Sequence, residues 1–392
     1  MIDFLNILII FACSMIATWW VFKNVLKIAI LKNIVDNPDV RKLQRQPVPV
    51  LGGVAVFFGI VCALLCARLF FDCGILFDVL AAMIIILYIG TMDDILSLSP
   101  KMRLIIEIAI ALIFIFSNDC SVNDFHGLWG IHLIPNYISI PLTVFAVVGI
   151  INAINLVDGV NGLSSGLCIV ASFIYGAMFF RTGAMPMAAL MFASMGALVP
   201  FYFHNVFGKK SKMFIGDGGT LLMGLIFSVA VVSILREDSP VALSVNENFG
   251  LIAFALATLA IPVFDTVRVM LMRMIRHTSP FHPDKTHLHH LLLDFGFSHI
   301  GVTITEISMN LLILLIWWIS YRLGASVDVQ LYMVILFSFL FTFGFYGFAR
   351  HLERKQNKCY HVLCKIGKAS HFGQTPGYKG IRKFLDKSVN FN

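Results

Sequence analysis

Charged residues are scarce in this chain of 392 residues. Asp, Glu, Lys and Arg together make up 13% of it, whereas soluble domains carry about 25%. Hydrophobic residues account for 58%, and the mean hydropathy is +0.86. This composition excludes a soluble globular protein. It predicts an all-α integral membrane protein, because the backbone groups of a segment in lipid must be satisfied within the segment.

Cysteines with the spacing of a zinc site are also lacking, although the chain has eight cysteines. Cys13, Cys62, Cys66 and Cys168 lie in apolar runs, where cysteine behaves as a small hydrophobic residue. Cys73 and Cys120 fall in segments predicted to be external. A disulfide between them is one alternative and two free thiols are the other.

Apolar stretches long enough to cross a bilayer require about 17–25 residues. The first stretch lacks a basic region before it, so it is interpreted as a spanning helix and not as a cleaved signal peptide. The sequence predicts eleven transmembrane helices, at roughly 2–22, 50–70, 75–92, 103–117, 137–153, 163–181, 185–203, 214–235, 249–271, 301–322 and 328–349.

Lysine and arginine are distributed unequally between the two sides of this predicted arrangement. Of the 29 basic residues, 25 follow odd-numbered spans or lie at their ends. Because cytoplasmic loops carry the excess of basic residues, we expect the N-terminus outside and the C-terminus in the cytoplasm. The chain then divides into a polytopic transmembrane domain, 1–349, and a basic cytoplasmic tail, 350–392. Ten basic residues in the tail indicate contact with anionic membrane lipids and not with nucleic acid.

Five polar stretches all fall on the predicted cytoplasmic side. Asp93 and Asp94 end a helix, where adjacent carboxylates repel each other unless a cation or a shared proton relieves them. Asp217 lies between glycines that allow close backbone approach and precedes a long apolar segment, an arrangement suited to a metal ion carrying phosphates. A solvated acidic turn and a helix-capping turn are the respective alternatives.

Two further clusters carry amides and imidazoles. Asn155, Asp158 and Asn161 recur every three residues, and on a helix they would share one face suited to a metal ion and to sugar or base edges. An interrupted helix is the alternative. The group His287, His289 and His290 is interpreted as a donor set for phosphate or sugar hydroxyls, with a zinc site as the alternative.

Together these residues favour phosphoryl transfer, in which positioning and charge neutralisation dominate. One substrate would be a soluble nucleotide and the other a lipid phosphate, for which Lys101 at the start of a helix is suited. A secondary transporter is the competing class, but transporters place polar residues near the bilayer midplane. Acids within the predicted spans are few, namely Glu107, Asp265 and Glu306.

The polar stretches resemble a known family, the polyprenyl-phosphate N-acetylhexosamine-1-phosphate transferases. This family includes bacterial undecaprenyl-phosphate GlcNAc-1-phosphate transferases, the MraY translocases and eukaryotic dolichyl-phosphate enzymes. The resemblance extends to about Phe348. It rests on Arg41, Lys42, Pro47, Val48, Pro49, Gly52 and Gly53; on Gly90, Asp93 and Asp94; on Asn152, Asn155, Asp158, Gly159, Asn161 and Gly162; on Phe214, Ile215, Gly216 and Asp217; and on Ser279, Pro280, Phe281, Asp284, His287, His289 and His290.

The histidine motif distinguishes branches of this family. MraY-like members have three consecutive histidines, whereas His287-Leu288-His289-His290 is similar to the GlcNAc-1-phosphate branch. Asn161 departs from the pattern because several bacterial members have Asp there, which puts the substrate preference in question. Val50 is a second departure, at a position where a basic residue is frequent.

The resemblance implies a bacterial inner-membrane enzyme that transfers GlcNAc-1-phosphate from UDP-GlcNAc to undecaprenyl phosphate and releases UMP. This would be the first membrane step of a surface polysaccharide, such as O-antigen or a teichoic-acid-like polymer. The same chemistry on UDP-MurNAc-pentapeptide is the alternative. The resemblance also implies Mg²⁺ as cofactor, with Mn²⁺ as a substitute, and a homodimer as a candidate assembly. Direct transfer is favoured over a route through a phosphorylated Asp93 or Asp94.

The resemblance implies roles for individual residues as well. Asp217 would be the main Mg²⁺ ligand, assisted by Asn155. Asp93 and Asp94 would lie beside the metal, where one of them accepts a proton from the lipid phosphate, and Asp158 would join them as a catalytic residue. Lys101 would hold the lipid phosphate. The nucleotide, sugar and diphosphate would be bound by Asn161, Gly216, Arg276, His287, His289 and His290.

Overall fold

The computed structural model describes residues 1–38, 46–74, 76–118, 120–280 and 284–389, without the side chains of Asn118 and Gln374. The predicted motif residues Arg41, Lys42 and Phe281 lie outside the described residues. Within them the chain is mostly helical. The helices are α1 (Ile2–Leu31), α2 (Gly52–Ala67), α3 (Leu76–Leu96), α4 (Pro100–Asn118), α5 (Asn136–Leu156), α6 (Leu163–Arg181), α7 (Met185–Phe207), α8 (Gly216–Leu235), α9 (Pro240–Ser244), α10 (Leu251–Thr258), α11 (Ala260–Ile275), α12 (Leu288–Asp294), α13 (His299–Arg322), α14 (Val327–Phe339), α15 (Phe345–Lys355), α16 (Lys358–Ala369) and α17 (Pro376–Ser388).

Eight helices in the described part of the chain are long and apolar enough to cross a membrane. They are α1, α3, α5, α6, α7, α8, α13 and the continuous helix from α14 through α15. The pair α10 and α11 is bent by 77° and gives a ninth span if it is taken as one. The protein is thus a multi-pass membrane protein of mostly helical structure.

The other two predicted spans are helices as well. The apolar helix α2 has 16 residues, and α4 has 19 residues but carries Lys101, Arg103 and Glu107. All eleven predicted stretches therefore correspond to helices, while the count of eleven membrane crossings and the sidedness of the termini stay predictions.

Helix α8 is the centre of the fold, and nearly all of its residues are buried. It packs closely against α3, α5 and α2 at positions occupied by glycine, which has no side chain to keep the helices apart. A Cβ on Gly90 of α3 would lie 2.5 Å from the Gly218 Cα, and one on Gly224 would lie 2.6 Å from the Ile151 Cα of α5. These close crossings bring the ends of α3 and α5 to the start of α8.

Two segments that precede helices are joined by backbone hydrogen bonds. The Gly52 and Gly53 N–H groups donate to Phe214 O at 2.9 Å and Ile215 O at 2.7 Å, and Phe214 N–H donates to Pro49 O at 2.8 Å. The same segment pairs in antiparallel fashion as strand β2 (Val48–Pro49) with β1 (Val35–Asp36). The starts of α2 and α8 are thereby held side by side.

All eight cysteines are free. Cys73 and Cys120, the candidates for a disulfide, are two buried free thiols in the structure. In the tail, α15 runs across the predicted boundary at residue 350, and α16 and α17 follow it.

Candidate active site

A cavity of about 1270 Å³ opens where the helix ends meet. Its walls come from the segments that precede α2 and α8, the end of α3, the α5–α6 connection and the tail. Eight of the twelve predicted site residues line it, namely Asp93, Asp94, Asn155, Asp158, Asn161, Gly216, Asp217 and His290.

Asp94 accepts hydrogen bonds from the first turn of α8. Its Oδ1 lies 2.9 Å from the Asp217 N and its Oδ2 lies 3.3 Å from the Gly218 N. A carboxylate is stabilised there by unpaired N–H groups and by the positive end of the helix dipole. Gly216 has a φ of +73°, and a Cβ at this position would clash with the Asp94 carboxylate. Two N–H groups at the start of α8 thus bind the carboxylate at the end of α3.

Asp93 has different partners. Its Oδ1 accepts the Leu98 N–H at 2.7 Å, and its Oδ2 accepts from the Arg103 Nη1 at 3.2 Å. The same Nη1 lies 3.7 Å from the Asp217 Oδ2, and the Arg103 Nε lies 3.6 Å from the Glu107 Oε1. Arg103 thus contacts three carboxylates.

Sequence reasoning missed Arg103, which it counted only among the basic residues at the predicted cytoplasmic ends of the spans. A usable signal was present. Glu107 follows Arg103 by four residues on the same helix, and an acid within an apolar helix requires a partner. The Glu107 side chain is 1% exposed, and its Oε2 accepts a hydrogen bond of 2.6 Å from the Asn152 Nδ2.

Asn155 orients Asp217. Its Nδ2 donates to the Asp217 Oδ1 and to the Thr220 Oγ1, both at 2.8 Å. The Asn155 Oδ1 accepts no hydrogen bond from the described residues. The pair therefore presents one amide oxygen and one carboxylate of which the side chain is 38% exposed.

The three-residue pattern from Asn155 to Asn161 is an interrupted helix. Helix α5 ends at Leu156 and α6 begins at Leu163, so only Asn155 is helical. Gly162, with a φ of +83°, makes the turn and donates its N–H to the Asn205 Oδ1 at 2.8 Å. The expectation of a single helical face is wrong, because this turn replaces the helix, but all three side chains still line one cavity.

Asp158 faces the cavity from this connection. The residue is exposed toward the cavity, but partial desolvation by the protein around its carboxylate raises the pKa of Asp158 to about 6. A hydrogen bond of 2.5 Å from the Ser164 Oγ opposes the shift, and the nearby charge of Asp217 adds to it. Asn161 lies on the same connection and donates its N–H to the His299 Nδ1 at 3.2 Å.

Four predicted site residues do not line this cavity in the described structure: Lys101, Arg276, His287 and His289. Lys101 is exposed in the first turn of α4. Arg276 is exposed just after α11, whereas the buried arginine of that turn is Arg273. The Arg273 side chain binds Asp284 at 3.1 Å and donates to Pro280 O at 2.6 Å.

His287 and His289 are buried behind the cavity wall. The His287 Nδ1 lies 2.9 Å from the Asp265 Oδ2, and the other oxygen of Asp265 accepts from the Arg268 Nη2 at 2.6 Å. His289 packs against Gly159, where a Cβ would clash with the imidazole. Of the three motif histidines, His290 is thus the one that lines the cavity.

His290 is a neutral imidazole at pH 7. Desolvation, and then the charges of His287 and Lys285, lower the pKa of His290 to about 4. A neutral imidazole can donate from one nitrogen and accept at the other. Among the described residues, no group of three or more His, Cys, Asp and Glu residues has the arrangement of a metal site. The histidine cluster accordingly lacks the arrangement of a zinc centre.

The oxygen donors around Asp217 are of the types that bind Mg²⁺. Mg²⁺ uses one or two carboxylates and completes its coordination with substrate phosphates and water. Asp93 and Asp217 are two carboxylates that already share the Arg103 guanidinium. The Asn155 Oδ1, which accepts no hydrogen bond from the described residues, is a third oxygen donor next to Asp217.

Comparison with known proteins identifies the family of this chain. The model of glycosyl transferase family 4 matches residues 76–235. The chain is 30% identical to a probable undecaprenyl-phosphate N-acetylglucosaminyl 1-phosphate transferase of Bacillus subtilis, over 75% of this chain and 79% of the relative. It is 30% identical to the Yersinia pestis undecaprenyl-phosphate alpha-N-acetylglucosaminyl 1-phosphate transferase, over 82% of this chain and 85% of the relative. The Escherichia coli K12 protein of the same name is 32% identical over 69% of this chain and 72% of the relative. The chain therefore belongs to glycosyl transferase family 4.

Proposed function

We propose that this protein transfers GlcNAc-1-phosphate from UDP-GlcNAc to undecaprenyl phosphate and releases UMP. The observation that carries the proposal is the convergence of Asp93, Asn155 and Asp217 in one cavity from the ends of three different helices. The names of the relatives, which are undecaprenyl-phosphate N-acetylglucosaminyl 1-phosphate transferases, support the same reaction.

The cofactor in this proposal is Mg²⁺, for which Mn²⁺ could substitute. Asp217, the Asn155 Oδ1 and Asp93 are the groups that would hold it. When bound, the ion would neutralise the charge of the diphosphate and polarise it. Asn155 would keep the Asp217 carboxylate in place through its 2.8 Å hydrogen bond.

The transfer itself would be direct. An oxygen of the lipid phosphate forms a bond to the β-phosphorus of UDP-GlcNAc, and the bond from that phosphorus to the bridging oxygen breaks, so that UMP leaves. A phosphate monoester, with a second pKa near 6, is largely a dianion at pH 7 and requires little help from a base. Direct transfer therefore needs no covalent intermediate on Asp93 or Asp94, whose carboxylates instead accept hydrogen bonds from Leu98, Arg103 and the start of α8.

The cationic and neutral donors in and near the cavity have distinct tasks in this reaction. Arg103, held by Glu107, would stabilise negative charge near Asp93 and Asp217. His290, a neutral imidazole, would hydrogen bond to the sugar or diphosphate, and Asn161 and Gly216 would contact the nucleotide. Lys101 stays a candidate for the lipid phosphate, since it lies at the exposed start of α4, two residues before Arg103.

Basic residues are in excess in the loops on one side of the predicted membrane arrangement. This excess supports a cavity that faces the cytoplasm from a bacterial inner membrane. There the soluble nucleotide would enter from water and the polyprenyl phosphate from the bilayer. The reaction would be the first membrane step in the synthesis of a surface polysaccharide.

The test uses purified protein in detergent with undecaprenyl phosphate, Mg²⁺ and radiolabelled UDP-GlcNAc. Label should enter the lipid phase with the wild type and be lost with Asp217→Asn. Asp78→Asn is the matched control, because Asp78 lies on α3 like Asp93 but in its first turn, at the opposite end. This variant should keep wild-type activity.

Other donors separate the alternatives. Transfer from UDP-MurNAc-pentapeptide but not from UDP-GlcNAc would show that the protein has the substrate of the MraY-like branch. Absence of UMP release with any UDP-N-acetylhexosamine would overturn the transferase and favour a transporter. Trapping of phosphorylated enzyme with nucleotide alone would replace direct transfer by the two-step route.

A further inference from the structure

The C-terminal helix α17 is fastened to the segment that joins α7 to α8. Its Asp386 Oδ1 accepts the N–H groups of Lys209, Lys210 and Ser211 at 3.0, 2.9 and 3.0 Å and the Ser211 Oγ at 3.1 Å. Although partial burial alone would raise it, the pKa of Asp386 is lowered by these hydrogen bonds. One carboxylate thus organises the segment that leads into Asp217.

Two further side chains of α17 bind the end of α7. The Tyr378 Oη donates to Val206 O at 2.9 Å, and the Arg382 Nε donates to Phe207 O at 3.4 Å. The Arg382 guanidinium also lies 4.8 Å from the centre of the Tyr378 ring. These carbonyls belong to the last turn of a helix and have no partner within it, so α17 completes the end of α7.

Apolar contacts hold the same helix. Leu385 and Val389 are buried, with 2% and 5% of their surface exposed, and the Phe384 ring stacks on Trp19 of α1 with centroids 6.0 Å apart. Apolar contacts therefore hold the end of α17 against the membrane domain, in addition to the attraction of its charge to lipid headgroups.

Tyr378 and Arg382 line the cavity that holds the predicted catalytic residues. Three lysines of the α7–α8 segment, Lys209, Lys210 and Lys212, line it too. Apart from the Phe207 contact, the N–H groups of Arg382 make no hydrogen bond with the described residues. A planar guanidinium with free donors in a cavity is suited to bidentate binding of a phosphate.

We propose that Arg382 binds a phosphate oxygen of a substrate in this cavity and that Tyr378 and Asp386 hold α17 in the position this requires. The proposal rests on the proposed function, in which both substrates carry phosphate. The phosphate belongs either to the diphosphate of the nucleotide sugar or to the lipid monophosphate. Arg382 would thus be a binding residue contributed by the tail.

The test measures the full-length protein in detergent with Arg382→Gln, Arg382→Lys and the control Lys383→Gln. Lys383 is the exposed neighbour of Arg382 on α17 and does not line the cavity in the described structure. The KM for UDP-GlcNAc and the KM for a short-chain polyprenyl phosphate are each measured at saturating concentration of the other substrate. The Kd of UDP is measured by calorimetry.

Arg382→Gln should raise one KM about tenfold or more with a smaller change in kcat, Arg382→Lys should recover part of the loss, and Lys383→Gln should match the wild type. A rise in the donor KM together with the Kd of UDP identifies the nucleotide diphosphate as the ligand. A rise in the acceptor KM alone identifies the lipid phosphate.

Two results would overturn the proposal: both KM values within twofold of wild type, or a fall in kcat alone. Asp386→Asn provides a second variant, which should raise the same KM and lower the thermal unfolding midpoint by loosening α17. If the wild type binds UDP but transfers nothing from UDP-GlcNAc, the proposed function fails, while the Kd of UDP for Arg382→Gln still decides the role of Arg382. In that case an unchanged Kd of UDP, together with an unchanged Kd of the short-chain polyprenyl phosphate, would end the proposal.

Discussion

Arg103 lies between three carboxylates, and this is the residue-scale feature on which the site depends. It contacts Asp93 at 3.2 Å, Glu107 at 3.6 Å and Asp217 at 3.7 Å. Charges that are partly removed from water are stable only when they are paired. Arg103 is therefore both a structural counter-ion and a candidate for phosphate contact.

We predict that Arg103→Gln lowers transferase activity about tenfold or more and lowers the free energy of unfolding by about 1–3 kcal/mol, because Glu107 is left buried with an incomplete set of partners. The measurements are the labelled-lipid assay and thermal unfolding in detergent. The double variant Arg103→Gln, Glu107→Gln should regain much of the stability but not the activity. Equal instability of the single and double variants would contradict the pairing.

A second residue-scale prediction concerns Asp284. Partial burial alone would raise the pKa of Asp284, but hydrogen bonds from Arg273 and Thr286 outweigh it and lower this pKa to about 2. A carboxylate with a depressed pKa stabilises the folded state above its unfolded pKa of about 3.9, and the stabilisation is lost as the pH falls toward 2.

Asp284→Asn should therefore lower the unfolding free energy at pH 7 by about 1 kcal/mol, allowing for solvent screening of a partly exposed pair. The difference from wild type should shrink between pH 4 and pH 2. Thermal unfolding in detergent over this range is the measurement, and Glu247→Gln, at an exposed carboxylate, is the control. A difference that does not vary with pH would show that the charge of Asp284 is not the cause.

At the scale of elements, α8 is positioned by glycines of its neighbours and of its own first turn. A Cβ on Gly90 would lie 2.5 Å from the Gly218 Cα and 2.7 Å from the Asp217 carbonyl carbon. These atoms are backbone atoms, which cannot rotate away as a flexible side chain can. The distance between α3 and α8, and with it the separation of Asp93 from Asp217, is set by this contact.

We predict that Gly90→Ala destabilises the protein by about 1–3 kcal/mol through overpacking and lowers activity by displacing Asp93 from Asp217. Gly149→Ala is the matched control, since Gly149 lies within α5 with no atom within 4 Å of a built Cβ. That change should be neutral or slightly stabilising, because alanine favours a helix more than glycine does. Thermal unfolding and the transfer assay measure both variants, and an equal response would refute the role of the α3–α8 contact.

At the scale of the whole molecule, the orientation in the membrane is a prediction from the distribution of basic residues. Cys359 offers a direct test because it is exposed at the start of α16. In a Cys364→Ser background, a membrane-impermeant maleimide should label Cys359 only after spheroplasts are permeabilised. Glu247→Cys in a Cys359→Ser background should be labelled in intact spheroplasts, since that loop is predicted to be external. The reverse pattern would invert the topology and place the cavity outside the cell.

The tail also belongs to the scale of the whole molecule. The sequence predicts a basic segment at the lipid surface, and its composition alone supports nothing more specific. In the structure, Asp386 contacts a segment 175–177 residues earlier in the chain, and Tyr378 and Arg382 reach the cavity. The division of the chain at residue 350 thus describes composition, whereas the packing joins the tail to the site.

The sequence by itself determined the helical membrane architecture, because apolar length acts locally along the chain, and its charge distribution predicts the side of the membrane on which the polar motifs lie. It also indicated Asp93, Asp94, Asn155, Asp158 and Asp217 as candidates for one site, from clustered polar groups next to apolar spans. Only the tertiary structure decided which side chains meet. Asp94 accepts from α8 across 123 residues, His287 is held by Asp265 while His290 lines the cavity, and Arg103 and Arg382 join the site. Such contacts depend on how helices distant in sequence pack against one another, and no local pattern of residues encodes that packing.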